Sequence, residues 1–255
     1  MITIDRDKCI NCGSCVLSCS RAVITEGESA PVINPEVFCM DCRHCSAACP
    51  VKAVYFDEIP REQMYPDIPE DSLERLIKMR RSVRNYKREV PDKKIISDAL
   101  NAAAWSPSAQ NLHCEKWAVL WGYERIAKII DILNEISSNN KTANDMIEML
   151  KIRKGNPITL NAPCAIISYA SDGTYSPEIS CAIATTTLDL LLNSRGLATC
   201  WGGYLAIILN KCPEIKHYAG IPEGATVYAT LLAGHADGEI YHNPAYRPEA
   251  NINWL

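Results

Sequence analysis

The sequence predicts an α+β protein in two parts: a small cysteine-held module, then a central sheet flanked by helices. Three observations carry this. Eight of the thirteen cysteines fall in the first fifty of 255 residues, in two runs of identical spacing. After residue 57 the texture changes to an acidic, proline-bearing stretch containing Pro60, Pro66 and Pro69. Beyond it, segments with apolar residues at helical spacing alternate with short apolar runs bounded by turn residues, the pattern of helices packed on a sheet.

Each element has its own signal. In "DSLERLIKMRRS", Asp71 or Ser72 is placed to cap a helix with Leu73, Leu76 and Ile77 on its apolar face. Pro91-Asp92 opens a second helix carrying Ile95, Ile96, Ala99, Leu100 and Ala103 on one side. "KWAVLW", 116–121, reads as a strand, and 124–137 as an amphipathic helix on its Ile126, Ile129, Ile130 and Leu133 spacing. "SSNNKTAND" is expected to be a polar loop. "PCAIISYA", 163–170, is a second strand. A long helix follows, with Ser176 at its cap, Pro177 in its first turn and Gly196 as its stop. That helix is apolar nearly all round, so it is expected to be central and buried. "TVYATLLAG", 226–234, is a third strand. The division expected is a module over 1–58, a linker over 59–71 and the larger domain over 72–255.

Composition narrows the function. The chain is 47% hydrophobic and 22% charged, with net charge -4, an ordinary globular profile that argues against a broad electrostatic grip on nucleic acid. No uncharged apolar run reaches the roughly 18 residues of a membrane span. The first residues, "MITIDRDKC", contain no apolar targeting core, so the expected location is the cytoplasm. The other five cysteines, Cys114, Cys164, Cys181, Cys200 and Cys212, are scattered among apolar residues. They suit a reducing compartment better than a disulfide framework.

The two runs each read C-x2-C-x2-C-x3-C: Cys9, Cys12, Cys15 and Cys19, then Cys39, Cys42, Cys45 and Cys49. This spacing resembles that of bacterial ferredoxins with two [4Fe–4S] clusters. The resemblance implies that Cys9, Cys12, Cys15 and Cys49 hold one cluster and that Cys39, Cys42, Cys45 and Cys19 hold the other. Gly13 would permit close backbone approach in the first loop. Pro50 follows the last cysteine as the pattern expects, whereas Ser20 stands where the first run would carry proline. Structural zinc is the competing reading; its sites show two C-x2-C pairs set well apart.

Two stretches near the predicted helix ends bear on the larger domain. "RRSVRNY", 80–86, and "WSPSAQN", 105–111, resemble the early motifs of the nitroreductase family of FMN flavoenzymes, Arg-x-Ser-x-Arg and Ser-Pro-Ser-x-x-Asn. The resemblance extends through "SRGLATCWGGYL", "GIPEGATVYATLLAGHAD" and "NPAYRP". It implies an FMN site made by Arg80, Arg81, Ser82, Arg84, Trp201, Gly202, Gly203 and Arg247. Pro107, Ser108 and Asn111 would reach the flavin from a partner subunit, so the site would lie at a homodimer interface. The residue chemistry agrees. A phosphate calls for guanidinium forks and a hydroxyl, and a flat ring calls for backbone without side chains. The chain departs from many relatives at "NLHCEKW", 111–117, which alters the pocket wall.

Together these readings imply an iron–sulfur flavoprotein oxidoreductase carrying FMN and two [4Fe–4S] clusters. Its acceptor would be a small flat electrophile of nitroaromatic, quinone or enone type. Its donor would be NAD(P)H or a reduced ferredoxin, and the flavin rather than any side chain would carry the chemistry. No G-x-G-x-x-G follows a strand, so no dedicated dinucleotide domain is expected. The alternative is an electron-transfer protein in which FMN relays electrons to a protein partner.

Overall fold

The computed structural model describes residues 2–56, 69–152, 155–238 and 248–255. The chain divides into two compact units, Met1–Asp67 with Gln110–Leu112, and Ile68–Ala109 with His113–Leu255. Residues 59–68 of the expected linker lie outside the described residues, as does Arg247.

The first unit repeats itself. It runs β1 (Ile2–Ile4), α1 (Ser14–Leu17), β2 (Ile24–Thr25), β3 (Val32–Ile33), α2 (His44–Ala47) and β4 (Val54–Phe56). β1 pairs antiparallel with β4, and β2 with β3. The cysteine spacing of thirty residues recurs in the backbone: Asn11 and Asp41, Gly13 and Arg43, and Ala22 and Lys52 all have positive φ. Gly13 (φ 75) adopts this conformation at no steric cost. Arg43 (φ 60) adopts it against a steric penalty, so the second loop is held in shape by its surroundings. Among the described residues its main buried cluster is Ile4, Cys15, Ile24, Cys45 and Val54, so two of that cluster's five members are cysteines. A core this small needs a metal staple to be stable.

The second unit is a four-stranded antiparallel sheet with helices on both faces. Its elements are α3 (Glu70–Met79), α4 (Lys93–Ala103), β5 (Lys116–Trp121), α5 (Tyr123–Ile136), α6 (Lys141–Ile152), β6 (Cys164–Ser171), α7 (Pro177–Ser194), β7 (Ala198–Trp201), α8 (Gly203–Lys211), α9 (Pro213–Tyr218) and β8 (Ala225–Gly234). Strand order is β5-β6-β8-β7. Strand alternation sends Ala165, Ile167 and Leu232 to a core shared with α5, α6, α8 and α9. It sends Cys164, Ile166, Leu231 and Ala233 to the opposite face, against α4 and α7. No helix among the described residues is long and apolar enough to cross a membrane.

Several expectations shift. α3 starts at Glu70, inside the expected linker, after Pro69 and without a side-chain cap, so neither Asp71 nor Ser72 serves as one. The polar stretch 137–145 is not all loop. Asn140 Oδ1 accepts from the Ala143 N–H at 3.1 Å, and α6 begins at Lys141. α7 is not buried all round: Ala184, Leu188 and Leu192 are covered, while Ile179 is 54% exposed. Ser176 precedes α7 in a left-handed conformation without capping it. The second helix does begin after Asp92, which caps it, its carboxylate accepting from the Lys94 N–H at 2.8 Å. Asp92→Ala should therefore cost about 1 kcal/mol, read as a lowered urea midpoint of the intact protein.

Candidate functional site

In the first unit the thiols gather across the two runs. Cys19, Cys39, Cys42 and Cys45 line one pocket with Arg21 and Arg43. Burial pushes the Cys45 thiol up to about 11, and the neighbouring Cys19, Cys42 and Cys39 reinforce the shift. Burial also raises Cys15, and there the thiol neighbours are Cys49 and Cys9. The fourth cysteine of each run accepts a backbone N–H four residues on: Val23 donates to Cys19 Sγ at 3.3 Å and Ala53 to Cys49 Sγ at 3.2 Å. At Cys19, burial is outweighed by N–H donation from Ile24, Val23, Arg21 and Ala22, and the thiol sits below its ordinary value. The Ser14 hydroxyl, 3.4 Å from Cys12 Sγ, lowers that thiol too. Among the described residues no three His, Cys, Asp or Glu groups converge on the spacing of a single ion's shell. All thirteen cysteines are free. Of the scattered five, Cys164, Cys181, Cys200 and Cys212 are buried, and burial alone takes Cys164 to about 12, as expected of small packing residues.

In the second unit α3 ends at Met79, and the following residues run extended along β7. Ser82 bridges Thr199 in parallel, and the Val83 N–H donates to the Thr199 carbonyl at 2.9 Å. Further on, Tyr86 bridges Ala236. This places Arg80, Ser82 and Arg84 beside β7. Burial raises the Cys200 thiol, while Arg84, the Ser82 hydroxyl and Arg80 act on it in the opposite sense. Arg81 is half-buried in the same stretch, and Arg84 is exposed.

At the end of β7 the two glycines differ. Gly202 is locked to β8: its N–H donates to the Thr230 carbonyl at 2.9 Å, and Thr230 Oγ1 donates back to its carbonyl at 2.6 Å. A Cβ on Gly202 would meet Thr230 Oγ1 at 2.7 Å, whereas one on Gly203 would meet nothing within 4 Å. Gly203 therefore opens α8 with bare backbone, and Trp201 beside the pair is 40% exposed.

The other expected contacts lie in the turn after α4. Pro107 is exposed, and Ser108 Oγ accepts from the His113 N–H at 3.0 Å. Asn111 falls in the first unit, where its Nδ2 donates to the Met40 carbonyl at 3.1 Å. Thus one set of expected residues converges along β7, and a second set occupies its own turn. Sequence reading missed Asp189. It is 2% exposed on α7 and accepts hydrogen bonds from Thr199 Oγ1, Asn193 Nδ2 and Trp201 Nε1. Its signal was available: one charge inside the apolar run "TTTLDLLL".

Residues 77–235 match the family model described as the nitroreductase family. The chain belongs to the nitroreductase family. Residues 8–54 match the model of a 4Fe-4S dicluster domain, so this nitroreductase-family chain carries a ferredoxin-type domain ahead of its sheet. Ferredoxin 7Fe of Hydrogenibacillus schlegelii is 44% identical over 50 residues, which are 20% of this chain and 63% of that protein; the chain thus spans under two thirds of that relative's length. An FMN-bound nitroreductase from Bacteroides fragilis superposes with a TM-score of 0.61 at 20% identity, covering 72% of this chain and 98% of that one. An FMN-bound nitroreductase from Desulfitobacterium hafniense gives 0.58 at 23% identity, covering 72% and 97%. These likenesses establish the nitroreductase fold for the second unit.

Proposed function

We propose that this protein is an iron–sulfur flavoprotein oxidoreductase that passes electrons between two [4Fe–4S] clusters and FMN to reduce a small, flat electrophile. The observation that carries the reading is the edge of β7, where two guanidinium groups, a hydroxyl and the bare backbone of Gly203 follow one another. Each fits one part of the cofactor. Arg80, Ser82 and Arg84, with Arg81 and Arg247, would bind the phosphate. Gly202 fixes the backbone so that Gly203 presents its open face to the ring, and Trp201 flanks it. Pro107, Ser108 and Asn111 would complete the pocket of a second copy in a homodimer.

In the first unit, Cys9, Cys12, Cys15 and Cys49 would hold one cluster and Cys39, Cys42, Cys45 and Cys19 the other. The thiol groupings and the shared pocket support this assignment. The clusters supply single electrons, and FMN, which takes them singly or in pairs, supplies hydride or electron delivery to the acceptor. The chain's own residues bind and orient these groups; none is assigned as acid or base. Thiolate ligands suit a reducing compartment, and we place the protein in the cytoplasm.

An anaerobic absorbance titration of the purified protein tests the reading. NADPH, NADH and then a low-potential one-electron donor are added, with flavin and cluster bands followed separately. Prompt flavin bleaching by a nicotinamide makes NAD(P)H the donor. Bleaching only by the one-electron donor makes a reduced ferredoxin the donor. Reduction without turnover of nitroaromatic, quinone or enone acceptors would instead favour a relay to a protein partner. Protein with no flavin band, before or after FMN is added, would sink the reading.

A further inference from the structure

Asp189 is a buried carboxylate whose two oxygens do different work. Oδ1 accepts from Asn193 Nδ2 at 3.0 Å and from Thr199 Oγ1, tying α7 to β7. Oδ2 lies 3.4 Å from Arg80 Nη1 and accepts from Trp201 Nε1 at 3.4 Å. Asn193 completes the knot, its Nδ2 also reaching Thr199 Oγ1 at 2.8 Å. One oxygen is therefore committed to the scaffold and the other to two residues of the candidate flavin site.

The exposure of the pair is lopsided. The Asp189 side chain is 3% exposed and that of Arg80 27%. A guanidinium anchored through one Nη beside a buried carboxylate oxygen can turn its other N–H groups outward, as a phosphate requires. Held this way, Arg80 loses less rotamer freedom when an anion binds. We propose that Asp189 is a positioning residue for flavin binding, setting the Arg80 fork beside β7. This rests on the FMN reading of that edge.

The rival account makes Asp189 a counter-charge that weakens the grip of Arg80 on an anion. The two accounts differ in sign for Asp189→Asn, which keeps the shape and removes the charge. Positioning predicts looser FMN binding, and a mere counter-charge predicts tighter binding.

The experiment measures the FMN dissociation constant by flavin fluorescence quenching, on full-length protein stripped of flavin. The proteins are wild type, D189N, Arg80→Gln and the double variant. D189N is expected to weaken binding about tenfold, the scale of one charge-assisted hydrogen bond. In the Arg80→Gln background the same change should shift the constant by less than about twofold, because the carboxylate acts through Arg80. An unchanged or tightened constant in D189N, or an equal loss in both backgrounds, would overturn the proposal. If D189N does not fold, Arg80→Lys carries the test. A loss of about tenfold with the charge kept supports a positioned fork, and wild-type affinity refutes it. Wild-type protein that takes up no FMN overturns the flavin reading and this inference with it. Wild-type protein that binds FMN beside an unaltered D189N overturns only the inference.

Discussion

Cys49→Ala and Cys12→Ala are expected to leave the same single cluster. Each should lower bound iron from about eight to about four atoms per chain, and the two reduced proteins should share one EPR signal. Cys42→Ala and Cys19→Ala should form the complementary pair with the other signal. The pairing follows from the thiol neighbourhoods: Cys15 has Cys49 and Cys9 beside it, and Cys45 has Cys19, Cys42 and Cys39. Three cysteines in one tight loop wrap one side of a cube, and in two-cluster ferredoxins the other run closes the fourth corner. If each run closed its own cluster, Cys49→Ala would instead match Cys42→Ala. That result would refute the crossed assignment while leaving the iron count unchanged. The effect on stability should be large as well. Cys15 and Cys45 belong to the unit's main buried cluster of five residues, so a cluster lost is a large part of what orders the first unit.

The cysteine module was legible because ligand spacing is a local property: two identical runs announce it without any knowledge of the fold. Strands β5, β6 and β8 were legible too. Their apolar, β-branched and aromatic runs are bounded by turn residues, and β5 falls on the expected 116–121. β7 was not. It is four residues, Ala198–Trp201, and a run that short has no period to read. It is a strand because β8 pairs with it on one side and the 82–83 backbone on the other, both distant in sequence. The same blindness hid half of the candidate site. The arginines and glycines stand out as residue types, but their meeting along β7 depends on pairing. Asp189 is one charge in an apolar helix, and its role depends on Arg80, Thr199 and Trp201, which only the fold brings around it. The start of α6 was missed for a related reason. Asn and Lys in "NNKT" read as loop, and only the cap bond from Asn140 shows the turn beginning there.

Gly203→Ala should separate folding from flavin binding, because its neighbour supplies the control. An added Cβ at Gly203 meets nothing within 4 Å, and the residue opens α8. Alanine there favours the helix by about 0.5–1 kcal/mol, so the protein stripped of flavin should melt no lower than wild type. If the ring packs against that bare backbone, the same methyl intrudes on it. Overpacking of about 1–3 kcal/mol corresponds to FMN binding weakened about 5- to 150-fold. Gly202→Ala should do the reverse. Its Cβ would stand 2.7 Å from Thr230 Oγ1 and 3.3 Å from Leu232 Cγ, in the seam between β7 and β8. It should destabilise the protein by about 1–3 kcal/mol whether or not flavin is present. Melting curves and FMN titrations of both variants check this. A Gly203→Ala protein that binds FMN as tightly as wild type would show that the open face of Gly203 borders solvent, and the ring would have to be sought elsewhere along β7. Loss of binding without loss of stability would fix the ring against the first turn of α8. The clash at Gly202 would then be a cost of strand pairing, and the space at Gly203 the signature of a ligand.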